Sequence, residues 1–264
     1  MLEFEKVTAG YGRTSVLHEV SFSLRPGRLT VMLGRNGSGK STLLACANQE
    51  LPYQGTIRMN GEDLALLPPR ERAKRVAILP QSVPAPCLSV EELAQFGRNP
   101  YLDLGRRLSR EDKRAVEAAL RDADVQQLRN RWVSTLSGGE RQRANLAMIL
   151  AQNTPVIVLD EPTAHMDPCH EAAFLNRLDK LRREQQKTLL VILHDLNLAA
   201  AYADDMVVLD GGSVVFAGTT EECLSRRILE ETFRVRKFMA DEGQIFFSAA
   251  QPRDTETGGT EKWL

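Results

Sequence analysis

Three short stretches of the chain gather residue types that hold phosphate or move a proton. Gly34, Arg35, Asn36, Gly37, Ser38, Gly39, Lys40 and Ser41 read GRNGSGKS, the spacing G-x-x-x-x-G-K-[ST]. Glycines there let backbone N–H groups turn inward on an anion, and a helix starting at the lysine adds its positive dipole end. Lys40 is then placed against the β- and γ-phosphates of a nucleotide, and the Ser41 hydroxyl is a ligand for Mg²⁺. The alternative is an ordinary glycine-rich turn. From average residue frequencies, four fixed positions match by chance in roughly one chain in a hundred of this length. The second stretch, residues 156–161, reads VIVLDE, an apolar run that delivers two acids at its end. Asp160 is placed to hold Mg²⁺ directly or through a water, and Glu161 to accept a proton from a water attacking the γ-phosphate. Either could instead be an ordinary strand-end acid. The third, residues 136–141, reads LSGGER; Ser137, Gly138 and Gly139 open a helical run and form a second anion cradle.

Phosphate chemistry at these positions needs strands that end where the loops begin, with helices behind them. Residues 29–33 (LTVML) read as a buried strand leading into the glycine loop, and a helix is expected from Lys40. Residues 156–159 and 189–193 are two more apolar β-rich runs, one closing on acids and one on His194. Alternation of strands and helices argues for an α/β class, whose ligands bind outside the carboxyl ends of parallel strands. Residues 206–209 and 214–217 flank Asp210-Gly211-Gly212, a hairpin signal. Residues 2–8 and 21–24, with Gly10, Gly12 and Pro26-Gly27 between them, predict antiparallel strands and turns. From Ser82 to Thr135 the β-rich runs give way to charged, Ala/Leu-rich helical patterns, and Ser109 with Asp112 starts a helix through about Asp122. This reads as a helical insertion, about residues 82–151, within a core of residues 1–81 and 152–240. Residues 241–264 form an extension whose polar tail starts at about residue 251.

Composition sets the outer bounds. The 264 residues carry 34 Lys+Arg against 35 Asp+Glu, a net charge of −1, so charge gives no argument for nucleic acid or an anionic membrane as a partner. A hydrophobic share of 42% with 26% charged residues is that of a folded globular chain. Cys46, Cys87, Cys169 and Cys223 form no CxxC pair and read as reduced thiols, Cys46 as a small packed hydrophobe. No apolar run approaches the ~20 residues of a membrane span. Glu3 and Glu5 stand where a signal peptide would be basic and then apolar. Any membrane role is therefore expected through a partner. His165 and His170 lack metal-ligand spacing and read as loop residues facing solvent, and His18 as a surface residue.

Taken together, the three motifs resemble ABC-type ATPases, with residues 136–141 matching the family's signature loop; the likeness covers roughly residues 2–238. In that alignment of motifs Tyr11 falls where the family stacks an aromatic on adenine. Gln81 falls at the Q-loop, Asp167 at the D-loop aspartate and His194 at the switch histidine. Alone, Tyr11 would be a surface aromatic, Gln81 unremarkable, and His194 evenly a satisfied core side chain or a catalytic one; the order of motifs favours function. One departure is that His165 and Met166 occupy the middle of the D-loop, which puts the subunit contact there in doubt. The stretches around residues 96–109 and 146–163 look most like ATPase subunits of bacterial importers for iron chelates, haem or cobalamin, ferric citrate and ferric siderophore importers nearest.

The resemblance implies a RecA-like P-loop NTPase core with an N-terminal antiparallel β subdomain and a helical insertion. It implies ATP and Mg²⁺ as cofactors, with Ser41, Gln81 and Asp160 about the metal and Glu161, His194 and Gln81 as the catalytic set. It implies a head-to-tail homodimer, each ATP held by residues 34–42, Thr42 included, of one copy and by Ser137, Gly138 and Gly139 of the other, with Asp167 alongside. Further partners would be integral membrane permease subunits, docked near Gln81 and the insertion, with a substrate-binding protein acting through them. The place would be peripheral, on the cytoplasmic face of the inner membrane. Rival readings are an exporter ATPase, a soluble ABC-type ATPase of DNA repair or a translation factor, and a regulator that binds nucleotide without hydrolysing it. The absence of coiled-coil heptads and of a second cassette disfavours the repair and translation readings. Glu161 and His194 disfavour the regulator.

Overall fold

The computed structural model describes residues 1–81, 83–102, 107–164, 166–239 and 245–249. Two sheets share these residues with helices around them. The first is antiparallel, in the order β2-β1-β4-β5, from β1 (Leu2–Tyr11), β2 (Thr14–Leu24), β4 (Tyr53–Met59) and β5 (Glu62–Asp63). The second has six strands in the order β10-β9-β3-β8-β7-β6. They are β3 (Leu29–Gly34), β6 (Val76–Leu79), β7 (Val156–Asp160), β8 (Thr188–Ile192), β9 (Asp205–Asp210) and β10 (Ser213–Thr219). All neighbours in it are parallel except the β9–β10 hairpin. A separate antiparallel hairpin, β11 (Val235–Met239) with β12 (Ile245–Ala249), follows.

Helices α1 (Lys40–Ala47), α2 (Pro69–Ala73), α3 (Val90–Phe96), α4 (Arg110–Asp122) and α5 (Gly138–Ala151) precede β7. After it come α6 (Pro168–Gln185), α7 (Leu196–Tyr202), α8 (Thr220–Ser225) and α9 (Ile228–Phe233). Among the described residues between β6 and β7 no strand forms beyond a single bridge, Ser89 to Trp132, and α3, α4 and α5 pack on one another.

Residues of β3, β7 and β8 are buried on both faces and alternate between two cores, as strands covered on both sides must. Val31, Leu33, Ile157, Leu159, Leu189 and Val191 face one core, shared with the helices that follow β6. Met32, Val158, Leu190 and Ile192 face the other, shared with the antiparallel sheet and α1. The parallel register brings the carboxyl ends of β3, β8, β7 and β6 side by side, where Gly34, His194, Asp160-Glu161 and Gln81 follow.

The first hairpin differs from the sequence expectation. Gly10 is not a turn residue: β1 runs on to Tyr11, β2 begins at Thr14 rather than Ser21, and Gly10 pairs with Ser15. A Cβ on Gly10 would lie 2.0 Å from the Thr14 carbonyl oxygen, so this glycine serves close backbone approach within the ladder. His18 is exposed on β2, with Ser15 Oγ 3.4 Å from its Nδ1. His170 lies in the first turn of α6, not in a loop. Cys46 is fully buried, and burial pushes its thiol up to about 11. Expectations for Ser82, His165 and the tail from about residue 251 fall outside the described residues.

Candidate functional site

The loop between β3 and α1 is shaped by glycines that no other residue replaces cheaply. Gly37 and Gly39 have φ of 79° and 101°, the left-handed region that favours glycine. A Cβ on Gly39 would also sit 2.5 Å from Leu17 Cδ2. Gly39 caps α1 without any side-chain bond, so the first N–H groups of the helix are left for an anion. Lys40 is 6% exposed and turns back on its own loop, its Nζ donating to the Gly34 carbonyl at 2.7 Å and the Arg35 carbonyl at 3.2 Å. Burial pulls the Lys40 pKa down, and Glu161 and Asp160 oppose that shift. The loop wraps a cavity of about 490 Å³ lined by residues 36–42 together with Val16, Gln81, Glu161 and His194.

Across this cavity stand the acids of β7. Asp160 is 5% exposed; burial and the neighbouring Glu161 raise its pKa, partly offset by a hydrogen bond from Ser41 Oγ at 3.4 Å. The other oxygen, Asp160 Oδ1, is buried without a partner, as is Ser38 Oγ. Such orphans are rare in folded chains, and beside this cavity they are free to meet a ligand. A hydroxyl, a carboxylate and an amide oxygen (Ser41, Asp160, Gln81) are the hard donors that suit Mg²⁺, so the residues fit that ion. Glu161 has φ of 48°, a strained value for a residue with a Cβ. Its carboxylate receives Gln81 Nε2 at 2.6 Å on one oxygen and bonds His194 Nε2 on the other. The ends of three strands thus meet on one carboxylate.

Ser137, Gly138, Gly139 and Asp167 lie elsewhere, around a second cavity of about 360 Å³ with Glu140, Arg143, Met166 and His170. Ser137 caps α5 in a reciprocal box: its hydroxyl accepts Glu140 N–H at 3.3 Å, and its own N–H and O–H donate to Glu140 Oε2. These bonds hold the Glu140 carboxyl below the usual carboxylate range. Asp167 caps α6 in turn, taking His170 N–H at 3.0 Å and its ring Nδ1 at 2.6 Å. Tyr11 ends β1, 56% exposed, and does not line the first cavity. Val16 does, and nothing in its type or spacing marks it beforehand. Glu140 was readable, since Ser and Glu three apart is the capping-box spacing.

The ABC transporter family model matches residues 17–164, and the chain belongs to that family. Among its relatives is the iron(3+)-hydroxamate import ATP-binding protein of Bacillus subtilis strain 168, 37% identical over 236 residues, covering 89% of this chain and 88% of that one. The hemin import ATP-binding protein of Pseudomonas entomophila strain L48 is 40% identical over 242 residues, covering 89% and 93%. A solved ATP-binding subunit of an ABC transporter superposes with a TM-score of 0.76 at 25% identity, covering 89% of this chain and 98% of that one.

Proposed function

We propose that the chain is the ATP-hydrolysing subunit of a bacterial importer for iron chelates, working as a head-to-tail homodimer. The observation that carries the dimer is the division of the phosphate-binding residues between two separate cavities, one around Lys40 and one around Ser137. A two-fold pair of copies faces each cavity of one chain with the other kind of its partner, so that both sites are completed at once. The cargo class is supported by the relative named for iron(3+)-hydroxamate import; the hemin relative keeps haem as the second reading.

Within each composite site, the N–H groups of residues 36–42 and the Lys40 ammonium hold the terminal phosphates. Ser41, Asp160 and Gln81 would hold Mg²⁺, which when bound would supply positive charge to the phosphate oxygens. Glu161 accepts the proton of the attacking water, and His194 keeps that carboxylate turned toward it. Gln81 releases Glu161 as nucleotide enters. Ser137 exchanges its bond to Glu140 for a phosphate oxygen held by the partner copy. Losing that oxygen on hydrolysis removes the link between the copies, and this difference between two nucleotide states is what drives the permease subunits. Among the described residues no helix is long and apolar enough to cross a membrane. In this reading the chain works from the cytoplasmic face, through permeases docked near Gln81 and the helices after β6.

Glu161→Gln tests this reading, because the amide keeps the shape and cannot take a proton. Size-exclusion chromatography with ATP and Mg²⁺ is expected to show a persistent dimer with hydrolysis nearly stopped. In cells lacking the native chain, wild type is expected to restore uptake of iron-labelled hydroxamate and Glu161→Gln is not. Turnover at the parental rate would refute the role of Glu161. Restored haem uptake without hydroxamate uptake would replace the cargo.

A further inference from the structure

The carboxyl-terminal hairpin belongs to neither sheet and lies beyond the stretch that the family model matches. Its inner face is apolar: Phe247 is 8% exposed and Ile245 partly buried, both in the core that Leu196 and Leu198 of α7 also join. Among the described residues the one strand paired with β12 is β11, and the Phe247 N–H donates to Asn197 Oδ1 of α7 at 2.6 Å. Asn197 sits in the first turn of that helix. The cap of the turn is Asp195, whose Oδ1 takes the N–H groups of Asn197 and Leu198 at 2.7 and 3.0 Å. His194 is the residue just before the cap, and its ring is on Glu161. At the far end of α7, Tyr202 Oη donates to the Ala172 carbonyl of α6 at 3.3 Å.

A seven-residue helix has little stability of its own, so its placement comes from what it touches. His194 directly precedes the cap of its amino-terminal turn, and outside the core the polar tie of Asn197 on that turn runs to the hairpin. We propose that Asn197 is a positioning residue, through which β12 braces α7 and keeps His194 on Glu161. This rests on the reading of His194 as the group that orients Glu161. The hairpin is thereby tied to the rate of hydrolysis without touching nucleotide.

The test uses the purified full-length chain and measures kcat for ATP and, separately, the Kd of a fluorescent ATP analogue. Asn197→Leu keeps the branching and the number of heavy atoms and deletes the acceptor; Asn197→Asp keeps the acceptor. The expected result is a kcat about fivefold lower in Asn197→Leu, the factor that one neutral hydrogen bond supplies, with Kd unchanged. Asn197→Asp should bring kcat back, whereas a merely structural role would not separate kcat from Kd. Wild-type kcat in Asn197→Leu overturns the brace, as does an equal loss in Asn197→Asp or a Kd that rises in step. His194→Ala, run alongside, separates the two readings. If it turns over normally, the role of His194 fails and the brace with it. If it is inactive while Asn197→Leu is normal, only the brace fails.

Discussion

Lys40 directs its ammonium at the carbonyls of Gly34 and Arg35, which keeps the loop closed on itself and the charge buried. A bound triphosphate competes for that charge, and charge-assisted bonds to phosphate are the stronger kind. Lys40→Ala is therefore expected to weaken ATP binding about a hundredfold, equivalent to about 3 kcal/mol, while the chain stays folded. Titration calorimetry and a melting curve check both halves. Asp160 gives a prediction of opposite sense. Its pKa is raised above the ordinary 3.8 by burial and by Glu161. An acid raised on folding binds protons more tightly in the folded state, so its contribution to stability falls as pH rises from 3.8 through the folded value. At pH 7, above the ordinary 3.8, the cost is present, and Asp160→Asn should raise the melting temperature of the nucleotide-free chain. The gain should shrink as pH drops toward the ordinary aspartate value. A lower melting temperature at pH 7 would contradict this account. Lys40, Asp160 and Glu161 were legible because their chemistry needs fixed types at fixed spacing. Val16 was not, because any apolar residue on that strand would read alike.

Among the described residues, four helices begin on reciprocal capping boxes, α3, α4, α5 and α8, each a Ser or Thr followed three residues later by Glu or Asp. The start of α4 at Ser109 could be read for that reason. Gly10 was misleading because a glycine in a ladder and a glycine in a turn look the same in one sequence; only the approach of Thr14 separates them. The hairpin β11–β12 was not anticipated, since its pairing joins two short runs across residues 240–244 and carries no turn dipeptide such as Asn-Gly. The box of α4 also clamps the helices after β6. Asp112 accepts Arg98 Nε at 2.8 Å, both side chains under a tenth exposed, and Arg98 Nη1 donates to the Ala151 carbonyl at the end of α5. The Arg98 guanidinium also lies 3.8 Å from the Tyr101 ring centroid. Asp112→Ala leaves that cation buried without its carboxylate and should cost about 3–5 kcal/mol in a denaturant titration. A loss below about 1 kcal/mol, the scale of a helix cap alone, would show that the ion pair adds nothing.

For the whole molecule, the question is whether residues 34–42 and Ser137 meet across two copies. Each copy would carry one intact half for its partner, so lesions in different halves should complement. A Lys40→Ala chain mixed with a Ser137→Arg chain forms a dimer in which one site bears both lesions and the other bears neither. ATP hydrolysis by the mixture, with mixed dimers counted by cross-linking, measures this directly. Each variant alone is expected to be inactive, Ser137→Arg to bind ATP still as a monomer, and mixing to restore partial turnover. The head-to-tail pairing is contradicted if Ser137→Arg abolishes ATP binding by the isolated chain, or if mixed dimers form and remain inert.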